Sequence, residues 1–280
     1  MSTRAVIAAV SVATAVTLSW PAAAEQWPRY PTPDVPRTAD GEPNWLAPAP
    51  RTPDGKPDLS GTWRGGGGSL VGRGAPFRSP FSAPKPDVWM ATGMYVGVSL
   101  PLTDYGEALL KARQAEDGRD NPRSHCRPMG FMQLHMLASP ARYLQTPREL
   151  VILYESNGER RQIFTDGRTL PDNSPQPWWN GYSVGHWEGD TLIVETTHFR
   201  DGGWLDMAGT PLTDAAKVTE RFRRPAYGLM EIDITIDDTK AFRRPITVRW
   251  NQSLMIDQEL IESVCLENNH FPRDGRVPRF

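Results

Sequence analysis

The sequence predicts an all-β protein: a lipocalin-like, mainly antiparallel barrel of about eight strands, preceded by a proline-rich N-terminal strap. Three observations lead there. Period-two alternation runs through the second half of the chain, where LMEIDITID (229–237) sets Met230, Ile232, Ile234 and Ile236 against Glu231, Asp233, Thr235 and Asp237. Tight-turn sequences punctuate these segments, among them Asn157-Gly158, Gly189-Asp190 and Pro225-Ala226-Tyr227-Gly228. No βαβ spacing appears, and consecutive antiparallel strands can remove their edges by closing on themselves.

The elements follow in chain order. Residues 1–24 carry an early Arg4, an apolar stretch from Ala5 to Leu18 and Ala22-Ala23-Ala24 before Glu25. That is the layout of a secretory signal peptide, and its apolar stretch is too short to span a bilayer. A periplasmic or secreted protein without a membrane span is expected. Residues 25–60 are the strap or linker: PRTADGEP (36–43) echoes as PRTPDGKP (50–57), and proline at this density denies helix and ladder hydrogen bonds alike. Residues 61–280 are the barrel domain, irregular and partly helical over 61–142. Within that part 61–89 is glycine-rich and loop-like, 103–116 reads as a helix capped by Thr103, and 117–128 is a polar loop. From about 143 the strands are ELVILYES, ERRQIFT, YSVGHWEG, DTLIVETTHF, KVTERFRR, LMEIDITID, ITVRWNQ and ELIESVC.

Composition narrows the function classes. The 31 Lys and Arg against 33 Asp and Glu leave a net charge of −2, which gives no electrostatic reason to bind nucleic acid. Cys126 and Cys265 are the only cysteines, and a lone pair in an oxidising compartment is expected to bridge. The chain has no Gly-x-Ser-x-Gly elbow, Walker loop or dinucleotide fingerprint, and the GGGG at 65–68 lacks the Lys-Ser/Thr of a P-loop. No cofactor is therefore expected. His125 and His135 have neither HxH nor HExxH spacing, so no metal is expected either.

Two resemblances reinforce the barrel. The run PDLSGTW (57–63) resembles the Gly-x-Trp opening of lipocalin-type barrels. VGHWEGDTLIVET (184–196), VTERFRR (218–224) and ESVCLEN (262–268) resemble a widespread, largely uncharacterised group of secreted bacterial proteins, over roughly residues 55–268. The second resemblance implies export and a β-barrel, and it brings no catalytic residues.

Chemistry has to be sought in the hairpin VGHWEGDTLIVETTHF (184–199). A Gly189-Asp190 turn pairs Trp187 with Leu192, Gly185 with Val194, Ser183 with Thr196 and Gly181 with His198. His198 then shares the apolar face, while His186 lies with Glu195 on the other. In KVTERFRR, Glu220 alternates with Val218 and Phe222, a carboxylate on an apolar face. His198 as base and Glu220 as acid or orienting carboxylate are the minimum set for acid–base catalysis, with His186 and Glu195 in reserve. Tyr182, Trp187, Trp178, Trp179, Trp204, Asp206 and Arg161 are candidates to shape a pocket for a small apolar or aromatic ligand. The competing account of Glu220 is a salt bridge to an inward cation such as Arg161. The favoured function is a cofactor-independent lyase, dehydratase or isomerase. Its rivals are a carrier that binds the same ligand without chemistry and a partner-binding β domain.

Overall fold

Side chains alternating between a packed interior and water shape the second half of the chain, as their pattern predicts. The computed structural model describes residues 30–65, 100–136, 139–172, 176–265 and 267. The expected signal peptide (1–24), most of the glycine-rich segment and the tail from 268 lie outside the described residues. The strands are β1 Gly61–Gly65, β2 Pro140–Gln145, β3 Glu149–Tyr154, β4 Arg160–Phe164, β5 Tyr182–Glu188, β6 Thr191–Thr197, β7 Gly203–Trp204, β8 Pro211–Leu212, β9 Lys217–Ala226, β10 Leu229–Asp237 and β11 Ile246–Met255. Two α-helices accompany them, α1 Asp104–Ala115 and α2 Phe131–Met136.

A closed barrel forms in the order β1-β11-β10-β9-β6-β5-β4-β3-β2, while β7 and β8 pair separately as a short ribbon. The barrel therefore has nine strands, not about eight. Every neighbouring pair is antiparallel except β4 and β5, which run parallel through Ile163↔Ser183 and Phe164↔Val184. Two differences from expectation explain the count. Strands β1 and β2 arise in the part read as irregular. ELIESVC forms no strand, because β11 already pairs with β10 on one side and β1 on the other. A closed barrel leaves that segment no free edge.

The expected helix is present as α1, and the Thr103 hydroxyl accepts the Gly106 N–H at 3.0 Å. The β5–β6 hairpin has the predicted register, from Tyr182↔Thr197 to Glu188↔Thr191, about a turn at Gly189 with φ +57°. Between β9 and β10 the register slips by one residue between Leu229 and Glu231. The bulge coincides with Pro225, which has no N–H to donate to a ladder.

The strap packs on the barrel. Its two echoed sequences build the same small loop twice: Arg37 Nη1 donates to Gly41 O at 2.8 Å and Arg51 Nη1 to Gly55 O at 2.7 Å. The second loop docks on the β5–β6 turn through Arg51 and Asp190, 2.6 Å apart. Between the loops, Trp45 O and Ala47 O accept the Gly228 and Tyr227 N–H groups at the β9–β10 turn. Cys126 and Cys265 are bonded, joining positions 139 residues apart.

Candidate functional site

The barrel interior carries a polar cluster. Arg161 of β4, Ser183 of β5, Thr196 of β6 and Glu220 of β9 all point inward and are buried. They meet because the registers Ser183↔Thr196 and Val194↔Glu220 bring the inward residues of neighbouring strands together. Arg161 Nη1 donates to Glu220 Oε1 at 2.9 Å, and Nη2 donates to Glu220 Oε2. Nη2 also donates to Thr196 Oγ1 at 3.0 Å, and Nε to Ser183 Oγ at 3.3 Å. The guanidinium face lies 4.1 Å from the Phe131 ring.

Helix α2 plugs the lumen. It inserts Phe131 and His135 among inward residues of the wall, and His135 Nε2 lies 3.3 Å from Glu220 Oε1. Its Nδ1 sits 3.3 Å from the Tyr143 hydroxyl, which itself donates to Gln252 Oε1 at 2.9 Å. The His135 ring packs edge-on against Phe131, Tyr154 and Phe222. A nine-stranded barrel is wider than one of eight, and the plug occupies that width.

Burial and charge act against each other here. Burial alone would raise the Glu220 pKa, but the Arg161 guanidinium outweighs it and holds the carboxyl down to about 2. Burial holds the His135 ring below its ordinary 6.5, with the pull of Glu220 too weak to reverse it. Burial pushes the Tyr143 phenol well up. At neutral pH the Glu220 carboxylate is charged and the His135 ring neutral, and a neutral imidazole protonated on Nε2 can donate to that carboxylate.

The sequence-derived residues divide between this cluster and the outside. Glu220 and Arg161 meet as the salt bridge that the sequence offered as the competing account. His198 does not join them: its φ is +60°, so the chain leaves the ladder after Thr197 and alternation shifts by one residue. Phe199 enters the interior and stacks on Phe131 at 5.9 Å, and the expected Gly181–His198 pair does not form. His186 is exposed and lies 3.3 Å from Glu188 Oε1, while Glu195 is exposed on β6. Trp187 is half-buried, with Lys56 of the strap over its ring. Trp204 is buried beneath the Arg113 guanidinium. Asp206 is buried and accepts the N–H groups of Ala208 and Thr210, at 2.9 and 3.0 Å, so it organises the ribbon turn.

The remaining aromatic candidates gather on the outer wall beside the parallel β4–β5 pair. Trp178, exposed by 42%, lies 5.4 Å from Tyr182, which lies 5.4 Å from Phe164. Arg168 stacks 3.7 Å from the Phe164 ring and donates to the Tyr182 hydroxyl at 3.2 Å and to Asp166 at 2.7 Å. The His198 ring meets Trp178 edge-on at 6.4 Å, and Arg200 covers Trp179 at 5.4 Å.

His135 is the inward histidine that sequence reasoning missed. Its signal is the apolar run GFMQLHML between Pro128 and Pro140, which holds one imidazole among core residues. No group of three or more His, Cys, Asp or Glu that could hold a metal occurs among the described residues. Fold and site together define a β-barrel filled by its own side chains and stapled by one disulfide. No protein-family model, no curated protein and no solved structure matches the chain.

Proposed function

We propose that the chain is an exported binding protein that captures a flat aromatic molecule on its outer wall and performs no chemistry on it. One observation carries the reading. The lumen is filled with buried side chains, the Arg161–Glu220 pair among them, whereas Trp178 stands exposed beside Tyr182 and Arg168. A ring stacked on an indole gains about 0.5–1.5 kcal/mol beyond its buried area, and the guanidinium at the edge can orient a polar substituent. The disulfide supports export, since such bonds persist in oxidising compartments.

Intrinsic fluorescence tests this. Titration with indole and phenol derivatives is expected to quench the protein saturably. Trp178→Ala should weaken binding by roughly threefold to tenfold while the β circular dichroism stays that of the parent. Absence of saturable quenching across the panel, or a variant that binds like the parent, rejects the proposal.

A second reading keeps the acid–base lyase, dehydratase or isomerase, favoured by His135 Nε2 at 3.3 Å from Glu220 Oε1. It requires α2 to leave the lumen so that a substrate reaches the pair. Mass spectrometry of co-purified material separates the two readings. An intact molecule in stoichiometric amount supports binding, and a converted one supports the enzyme.

A further inference from the structure

A cleft of about 290 Å³ opens beside the disulfide, lined by Arg123, Arg127, Met129, Asn157, Val264 and Glu267 among others. Its volume lies near the lower end of small-molecule sites, about 300 Å³. Three stretches distant in sequence build it: the 3₁₀ turn Pro122–His125 with the residues after it, the turn Ser156–Gly158, and the segment around Cys265. Cys126 ends the first stretch with φ +51°, and Asn157 shapes the second with φ +59°. The bridge pins the third stretch against the first.

The charges on this wall are uneven. Arg123 and Arg127 form no ion pair among the described residues, and Glu267 is the one acid among the lining residues. Glu159 is buried and turned instead to the Met129 N–H, at 2.9 Å. An unpaired guanidinium offers a planar fork that matches a carboxylate with two parallel hydrogen bonds. Ser156, Ser263 and Asn157 add polar groups, while Met129 and Val264 provide an apolar wall.

We propose that this cleft is a second binding site, separate from the aromatic wall, which takes a small aliphatic carboxylate. Its oxygens meet Arg123 and Arg127, and its hydrocarbon part lies against Met129 and Val264. Because the disulfide holds the two sides together, the site exists only in the oxidised protein.

Calorimetric titration of the full oxidised chain with butyrate, at low ionic strength, tests the site. Inorganic phosphate serves as the comparison anion, and butyrate has no ring to stack on Trp178. Saturable butyrate binding tighter than phosphate is expected. It should weaken about tenfold or more in an R123Q/R127Q variant of unchanged melting temperature, and stay unchanged in Trp178→Ala. Reduction should abolish binding while the β circular dichroism persists; if reduction unfolds the chain, the oxidised double variant decides. Butyrate that fails to bind, binds no tighter than phosphate, or binds the double variant equally overturns the proposal.

Discussion

The Glu220 carboxylate is held in the barrel by two opposed effects, and each gives a prediction at the scale of the residue. Removing one partner of a buried ion pair leaves the other charge uncompensated, at a cost of about 3–5 kcal/mol. Glu220→Gln should therefore lower stability by roughly that amount, because it strands Arg161 under Phe131. Replacing both partners together, as R161M/E220L, should cost less than the sum of the single changes, since no charge is then buried alone. Denaturant unfolding of R161M, E220L and R161M/E220L measures this, and additive costs would show that the pair is not coupled. The pH dependence follows from the same residues. Glu220 has its pKa lowered from 4.5 to about 2, so its contribution is complete above 4.5 and drains as pH falls toward 2. His135 has its pKa lowered from 6.5, so the unfolded chain takes up its proton first and stability declines as pH falls below 6.5. Glu159, raised by burial, acts in the opposite sense, so the informative quantity is the difference between parent and variant. The melting temperature of Glu220→Gln should fall less steeply than the parent's between pH 4.5 and about 2. Parallel acid limbs would contradict the assignment.

Helix α1 shows how an element's packing can reverse an intrinsic preference. An alanine in place of a glycine inside a helix ordinarily gains about 1 kcal/mol. At Gly106, however, a Cβ would lie 2.4 Å from the Ala241 carbonyl oxygen, a backbone atom that a rotamer change cannot move. The contact is the docking of α1 on the β10–β11 connection, where Thr103 N also donates to Ala241 O at 2.9 Å. Overpacking costs about 1–3 kcal/mol, so Gly106→Ala is expected to destabilise the protein despite the better propensity. A raised melting temperature would mean that α1 is not seated as described. The same distinction between local pattern and packing explains what is legible in the sequence. The β5–β6 and β9–β10 hairpins are legible because alternation and turn residues are local signals. The plug α2 is not, because six residues are too few to display a helical period. His198 misleads for a related reason: alternation assumes continued extended backbone, and one left-handed residue exchanges it for Phe199. The inward Glu220 is legible from Val218 and Phe222 on either side. Its partners come from β4 and α2, and no sequence period reports that distance.

At the scale of the whole molecule the disulfide connects the C-terminal segment to the stretch that leads into the plug. Cys126 precedes α2 by only a few residues, and its partner Cys265 lies beyond the last barrel strand. Closing a loop of this length removes unfolded-state entropy equivalent to about 5 kcal/mol in the chain-entropy model, an upper figure for a folded protein. Loss of the bridge should not open the barrel evenly. The nine strands are held by continuous ladders and an apolar interior, none of which uses the bridge. The approach to α2 depends on it more, since the bridge lies five residues before the helix and the chain from Arg127 to Gly130 is a loop. In a C126S/C265S variant the denaturation midpoint should therefore fall by the equivalent of at most about 5 kcal/mol. Amides of α2 should exchange with solvent before those of β9 and β10, because a six-residue helix behind an untethered loop opens more readily than strands paired in a barrel. With the plug loosened, water reaches the Arg161–Glu220 pair and the ring of His135 gains solvent. Its proton should then titrate nearer the ordinary histidine value, which NMR of the imidazole resonances measures directly. If α2 instead exchanges together with the strands and the His135 titration does not move, the plug is an integral part of the barrel core and the bridge secures only the C-terminal segment.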